Sequence, residues 1–236
     1  EKDWWVTIIL KALFQTDCCE HLIFKGGTSL SKGFNLIERF SEDIDLAISH
    51  SFFGIEKTSK NQREKLRKTA RKYIHETLSI QLNEKLKQMG VSGYEIENIN
   101  QIQDKNGEWK QIDSDKDPTV ILLHYNSIIE NSINYIPSRV KIEISCLSMD
   151  EPTENREIHS LIEECFPEED IDANSIVKTV LPTRTFLEKI FLLAEEFQKA
   201  KPRNLRMTRH LYDLERLMDS DYGKEALNNP TLYHAI

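Results

Sequence analysis

Asp43 and Asp45, two residues apart, are the side chains in this 236-residue chain best placed by type and spacing to do chemistry. They belong to Asp43-Ile44-Asp45-Leu46-Ala47-Ile48. As a strand, this stretch turns Ile44, Leu46 and Ile48 to a core and both carboxylates to the opposite face. Two anions held together repel one another unless solvent or a cation relieves them. Hard divalent ions such as Mg²⁺ take oxygen ligands of this kind. Upstream stand Gly26, Gly27, Thr28 and Ser29. Backbone N–H groups in such a turn, at the start of a helix, form a phosphate-binding arrangement. Phosphate cradle and paired aspartates together suggest metal-assisted chemistry on a nucleoside triphosphate (NTP).

The elements that must position these groups can be read from the flanking residues. Leu22-Ile23-Phe24 is a short apolar run ahead of the glycines, residues 30–34 are helix-compatible, and a polar loop leads into the second strand. Taken singly, a Gly-Gly pair is usually only a turn, and a D-x-D is often a solvated strand edge. The order carries more information: strand, Gly-Gly-Thr-Ser, helix, loop, then D-x-D on a second strand. That order resembles the DNA polymerase β-like nucleotidyltransferase superfamily. More narrowly, Lys25-Gly26-Gly27-Thr28-Ser29-Leu30 and Arg39-Phe40-Ser41-Glu42-Asp43-Ile44-Asp45-Leu46 resemble the AbiEii/AbiGii-type toxin nucleotidyltransferases, whose relatives include the MenT toxins.

The resemblance implies an α+β fold. A polymerase β-like core, a mixed β-sheet flanked by helices, is expected in residues 1–150, with a helical half over 151–236 completing the cleft. It implies a third metal carboxylate on a later strand. In Arg139-Val140-Lys141-Ile142-Glu143-Ile144-Ser145-Cys146 the apolar residues share one face, while Lys141, Glu143 and Ser145 share the other. Glu143 is therefore expected to join Asp43 and Asp45 as a metal ligand. Gly26, Gly27, Thr28, Ser29, Arg39, Ser41 and Lys189 are expected to bind the nucleotide. Leu187-Glu188-Lys189-Ile190 and Arg209-His210-Leu211-Tyr212-Asp213-Leu214 resemble the second half of the family's motif set, a helical lysine followed by R-D-x-x-D-L. The pattern carries over at Lys189, Arg209, Asp213 and Leu214 and departs at His210, where an acid is commoner. A lysine beside a triphosphate neutralises the departing phosphates, and Asp213 would orient that lysine or the acceptor. The implied activity is Mg²⁺-dependent transfer of a nucleoside monophosphate from an NTP to an acceptor hydroxyl, such as a tRNA 3′ end. The implied setting is the toxin of a bacterial toxin–antitoxin or abortive-infection phage-defence system, with a cognate antitoxin as partner. A catalytically inactive protein that binds nucleotide or RNA is the alternative.

Composition bounds these readings. The chain is 39% hydrophobic and 30% charged, enough for a sizeable core. It has no apolar run of membrane-spanning length and no signal peptide, so a cytoplasmic protein without membrane contact is expected. Four cysteines without C-x-x-C spacing read as free thiols. A net charge of −8 argues against a generic nucleic-acid-binding module. Residues 56–89 read as one long helix with a stripe at Leu66, Ala70, Ile74 and Leu78 and a basic first half, the best sequence-level candidate for a nucleic-acid surface. Residues 93–147 read as β, with a hairpin turn at Asn106-Gly107. Residues 150–172, strongly acidic, are expected to form a loop with a short helix. A helical region is expected from 176, with Thr183 as a cap, and one last helix is expected to end near Asn228.

Overall fold

The computed structural model describes residues 1–56, 59–129, 137–147, 152–168, 174–203, 207–234 and 236. Its strands are β1 (Leu22–Lys25), β2 (Ile44–Ile48), β3 (Tyr94–Asn98), β4 (Gln101–Gln103), β5 (Trp109–Gln111), β6 (Thr119–Tyr125), β7 (Arg139–Ser145), β8 (Thr153–Ile158) and β9 (Ser175–Val180). β4 and β5 form a separate ribbon whose turn has Gly107 at φ +83°. The other strands make one seven-stranded mixed sheet in the order β3-β6-β7-β2-β1-β9-β8. β2 sits near its middle, antiparallel to β1 and parallel to β7.

Alternation of apolar and polar residues explains why β2 and β7 are strands and which way they face. Ile44, Leu46 and Ile48 of β2 and Val140, Ile142 and Ile144 of β7 are all buried on one side. That side is covered by α1 (Lys2–Leu13) and by a helical run beginning with α3 (Lys60–Tyr73). Fully burying each such side chain is worth roughly 1.5–3 kcal/mol, so a one-residue slip of register, which would turn the set to solvent, is heavily penalised.

The expected long helix is present as α3, a π-helical turn at Ile74–Leu78, and α4 (Ser79–Gln88). Ser59 starts it with a reciprocal capping box to Gln62. Leu66, Ala70, Ile74, Leu78, Leu82 and Leu86 are all buried. A stripe spaced by four drifts about 40° per step around an α-helix. The wider π-turn rotates the second half back and keeps all six residues on the sheet. This helix packs across the sheet from the carboxylates. Its basic residues are largely tied down: Arg71 donates to the Ile99 carbonyl at 2.9 Å and Arg67 pairs with Asp115 at 3.4 Å. The proposed nucleic-acid face therefore does not look onto the site.

Four expectations are corrected. Residues 150–172 are not only a loop with a short helix. They contain edge strand β8, followed by α5 (Leu161–Cys165), while Asp150, Glu151, Glu169, Asp170 and Asp172 lie outside the described residues. An edge strand needs little apolar cover, so Thr-Glu-Asn-Arg-Glu-Ile gave only a faint strand signal. Residues from 176 begin in strand β9, whose Ile176 points to solvent while Val177 is buried, an irregular pattern. Helix α6 (Pro182–Phe197) then starts with Leu181 as its N-cap and Pro182 in its first turn, so Thr183 is inside the helix. The tail is not one helix but α7 (Met207–Met218), α8 (Asp221–Leu227, capped by Ser220) and α9 (Pro230–His234).

A second, smaller core joins Leu30 and Ile37 to Phe186, Leu187, Leu217 and Ala226. It fixes α2 (Gly26–Lys32) against α6, α7 and α8, and so presses the two ends of the chain's motif set together.

Candidate active site

The parallel register of β2 and β7 places Asp45 beside Glu143 on the sheet face away from the main core. Asp43 precedes β2 by one residue, and its carbonyl accepts a hydrogen bond from the Thr28 hydroxyl. Thr28 Oγ1 also lies 2.9 Å from Ser41 Oγ, tying the first turn of α2 to the loop before β2. Gly26 adopts φ +80°, and a Cβ there would overlap the Asp45 carboxylate. The glycine is thus required twice, by backbone conformation and by close approach. At Gly27 a Cβ would sit 2.6 Å from Arg39 Nη2 and 3.1 Å from Ser41 Oγ.

Charge is unevenly balanced here. Burial pushes the Asp45 carboxyl up to about 6, and the negative charges of Glu143 and Asp43 add to the effect. Burial also raises Asp43, with Lys141 opposing and Glu42 and Glu143 reinforcing. Lys141 Nζ approaches Glu143 Oε1 to 2.5 Å, and Lys2 pairs with Glu42. Among the described residues no group of three or more His, Cys, Asp or Glu side chains stands at metal-binding spacing. Yet Asp43, Asp45 and Glu143 line one cleft, and their raised or opposed charges are what a hard cation with oxygen ligands would relieve. An all-oxygen donor set of this kind is compatible with a hard divalent cation.

Across the cleft stands a cationic wall. Arg39 holds Asp213 through two parallel bonds, Nε to Oδ1 at 2.6 Å and Nη2 to Oδ2 at 2.7 Å. Lys189 Nζ, from α6, lies 2.9 Å from the same Oδ2. Asp213 on α7 has no exposed side-chain surface. Burial alone would raise its carboxyl, but the hydrogen bonds and charges of Arg39 and Lys189 hold it below the usual value. One buried acid thus fixes two cations, and the bidentate fork sets the guanidinium plane. His210, next to Arg209, lowers to about 4, mainly by burial and then by the Lys189 and Arg209 charges, so its ring is neutral.

The polar cleft has a volume of about 190 Å³. Gly26, Gly27, Arg39, Ser41, Asp43, Asp45, Glu143 and Lys189, which sequence reasoning singled out, all line it. Thr28, Ser29 and Asp213 do not. Thr28 and Ser29 are buried behind the turn, where Ser29 Oγ donates to the Gly26 carbonyl at 2.9 Å. Asp213 sits behind the cationic wall and away from the cleft surface, and no ion pair to Arg209 forms among the described residues. Sequence reasoning missed Thr185, Glu188 and Leu192 of α6, which follow from Lys189 by helical periodicity, and it missed Lys2, whose pairing with Glu42 no local pattern signals.

A mixed sheet thus carries paired carboxylates that share one cleft with the glycine-led start of α2 and with Lys189 of α6. The family profile described as the nucleotidyl transferase AbiEii toxin of type IV toxin–antitoxin systems matches residues 8–235, and the chain belongs to that family. Among solved structures, MenT4, a nucleotidyltransferase toxin from Mycobacterium tuberculosis H37Rv, is similar with a TM-score of 0.53 and 19% identity. The match covers 98% of this chain and 62% of that one, so the chain spans less than two thirds of MenT4. At this identity the likeness shows a shared fold. No curated protein matches the chain. Among the described residues no helix is long and apolar enough to cross a membrane.

Proposed function

We propose that this protein transfers a nucleoside monophosphate from an NTP to the 3′ hydroxyl of an RNA, tRNA being the acceptor suggested by the family resemblance. In that reading it is the toxin of a toxin–antitoxin pair active in phage defence. The observation that carries the proposal is the face-to-face arrangement of the Asp43, Asp45 and Glu143 carboxylates and the Arg39 and Lys189 cations in one cleft.

Asp43, Asp45 and Glu143 would hold Mg²⁺. The ion would supply Lewis-acid stabilisation of the charge that grows on the transferring phosphate. Lys189 and Arg39 meet the β- and γ-phosphates, and because Asp213 already orients both, little reorganisation is needed when the charge moves onto the leaving pyrophosphate. Gly26 and Gly27, lacking side chains, leave room for Asp45 and for Arg39 and Ser41, the groups that would meet the metal and the triphosphate. The acceptor hydroxyl releases its proton to solvent as its oxygen bonds to the α-phosphorus, while the bond to the bridging oxygen breaks and pyrophosphate departs. Helices α6 and α7 add Lys189, Arg209 and His210 to the cleft.

The test is expression in a bacterial host. The wild-type chain should arrest growth, and Asp45→Ala, verified as folded by circular dichroism, should not. Arrest undiminished in that variant would remove the carboxylates from the mechanism.

A further inference from the structure

We propose that the groove between the polar face of β6–β7 and the β4–β5 ribbon receives the last nucleotides of a single-stranded RNA acceptor, with Lys116 and Arg139 on its phosphodiesters. The inference rests on the nucleotidyl-transfer reading and assigns a place to its second substrate.

Three observations carry it. First, this groove has a volume of about 700 Å³ and shares Asp43 and Glu143 with the polar cleft. The cleft, at about 190 Å³ and walled by cations, has room for phosphates but not for two substrates. A hydroxyl that is to meet the α-phosphate must reach the carboxylates from the other side, and the groove opens there.

Second, the walls suit nucleobases. Ile99, Ile102 and Ile112 come from the ribbon and its flanks, and Val120 and Leu122 from β6. The β6–β7 register sets Val120 opposite Glu143 and Leu122 opposite Lys141, so these apolar residues share the carboxylates' face. These aliphatic walls offer nucleobases apolar burial without aromatic stacking, a contact that carries no sequence preference.

Third, two of the groove's cations are uncommitted among the described residues, so their pull on a phosphodiester is local, while Asp43 and Asp113 remain unpaired acids of the same groove. Lys2 is paired with Glu42 and Lys141 with Glu143. Lys116 and Arg139 also line the groove and have no ion-pair partner among the described residues; Asp113 is an acid on the same wall. Arg139 is four residues before Glu143 on β7, about 13 Å along the strand. It is thus placed to meet a phosphodiester upstream of the reacting end. The basic face of α3, across the sheet, has no access to the carboxylates.

The experiment measures binding of a 5′-fluorescein 12-nucleotide single-stranded RNA by the full chain, by anisotropy in EDTA and without NTP. The double variant Lys116→Ala/Arg139→Ala should weaken binding about tenfold and reduce the slope of log affinity against log salt by about 1.4. Ile102→Glu, at a site 61% exposed and so tolerant in folding, should weaken it as well by repelling phosphates. Calorimetric NTP affinity should be unchanged in both variants. Wild-type RNA binding that is absent, or undiminished in both variants, overturns the proposal. So does a loss confined to NTP affinity, which would make the groove a base pocket for the nucleotide. The two readings fail separately. If wild-type protein labels RNA with the same KM for RNA as the double variant, only the groove assignment falls. If the variants lose RNA binding but wild type transfers nothing, only the transferase reading falls.

Discussion

Asp45 concentrates the electrostatic cost of the site in one residue. Its ordinary value is 3.8, and in the folded chain it lies at about 6. Between those values the folded state binds more protons than the unfolded state, so stability falls as pH rises, by up to about 3 kcal/mol in total. Asp45→Asn should therefore raise the denaturant midpoint in EDTA at pH 7.5, and the gain should vanish near pH 4. Asp213 has the opposite sign: its lowered carboxyl contributes stability at neutral pH that is lost as the solution is acidified. Asp213→Ala leaves Lys189 and Arg39 without their shared anion and should cost about 3–5 kcal/mol, read by chemical denaturation. At this scale much was legible. Alternation alone put Asp43 and Asp45 together, and the family pattern pointed to Glu143. The salt bridge from Asp213 to Arg39 was not, because residues 174 positions apart leave no trace in local spacing.

The element that governs the site is the junction from β1 into α2. Gly26→Ala combines a positive φ with overlap of Asp45, so both stability and activity should fall, by roughly 1–3 kcal/mol for the backbone strain. Gly27→Ala keeps an allowed backbone but presses on Arg39 Nη2, the nitrogen that bonds Asp213, and on Ser41 Oγ. It should lower Tm less than Gly26→Ala and weaken NTP binding, which a thermal melt and calorimetry would report. An unchanged Tm and NTP affinity at Gly27 would mean that the Arg39 fork shifts freely. β2 and β7 could be read from sequence because their apolar residues alternate against a single core, and β1 because it is a short apolar run buried on both faces. β8 and β9 could not, since one is a solvated edge and the other alternates irregularly.

On the scale of the whole molecule, the sheet draws on both halves of the chain. β9 pairs parallel with β1, and β8 pairs with β9. The second core likewise joins Leu30 and Ile37 to residues beyond 181. Residues 1–150 expressed alone should therefore leave β1 with a bare edge and an uncovered apolar patch, and should not show a cooperative melt. The plan of a mixed sheet flanked by helices was legible because the motifs arrive in a fixed order. The closing of the sheet by later strands was hidden because long-range pairing is written in partner surfaces and not in the strand itself.

The central claim is that one cleft, with carboxylates on one wall and cations on the other, moves a nucleotide. The most direct measurement incubates the protein with Mg²⁺, total bacterial RNA and each α-labelled NTP in turn. The account predicts label on RNA with at least one nucleotide, lost with Asp45→Ala and with EDTA. Folded wild-type protein that labels no RNA with any of the nucleotides, or Asp45→Ala that labels it equally well, would contradict it.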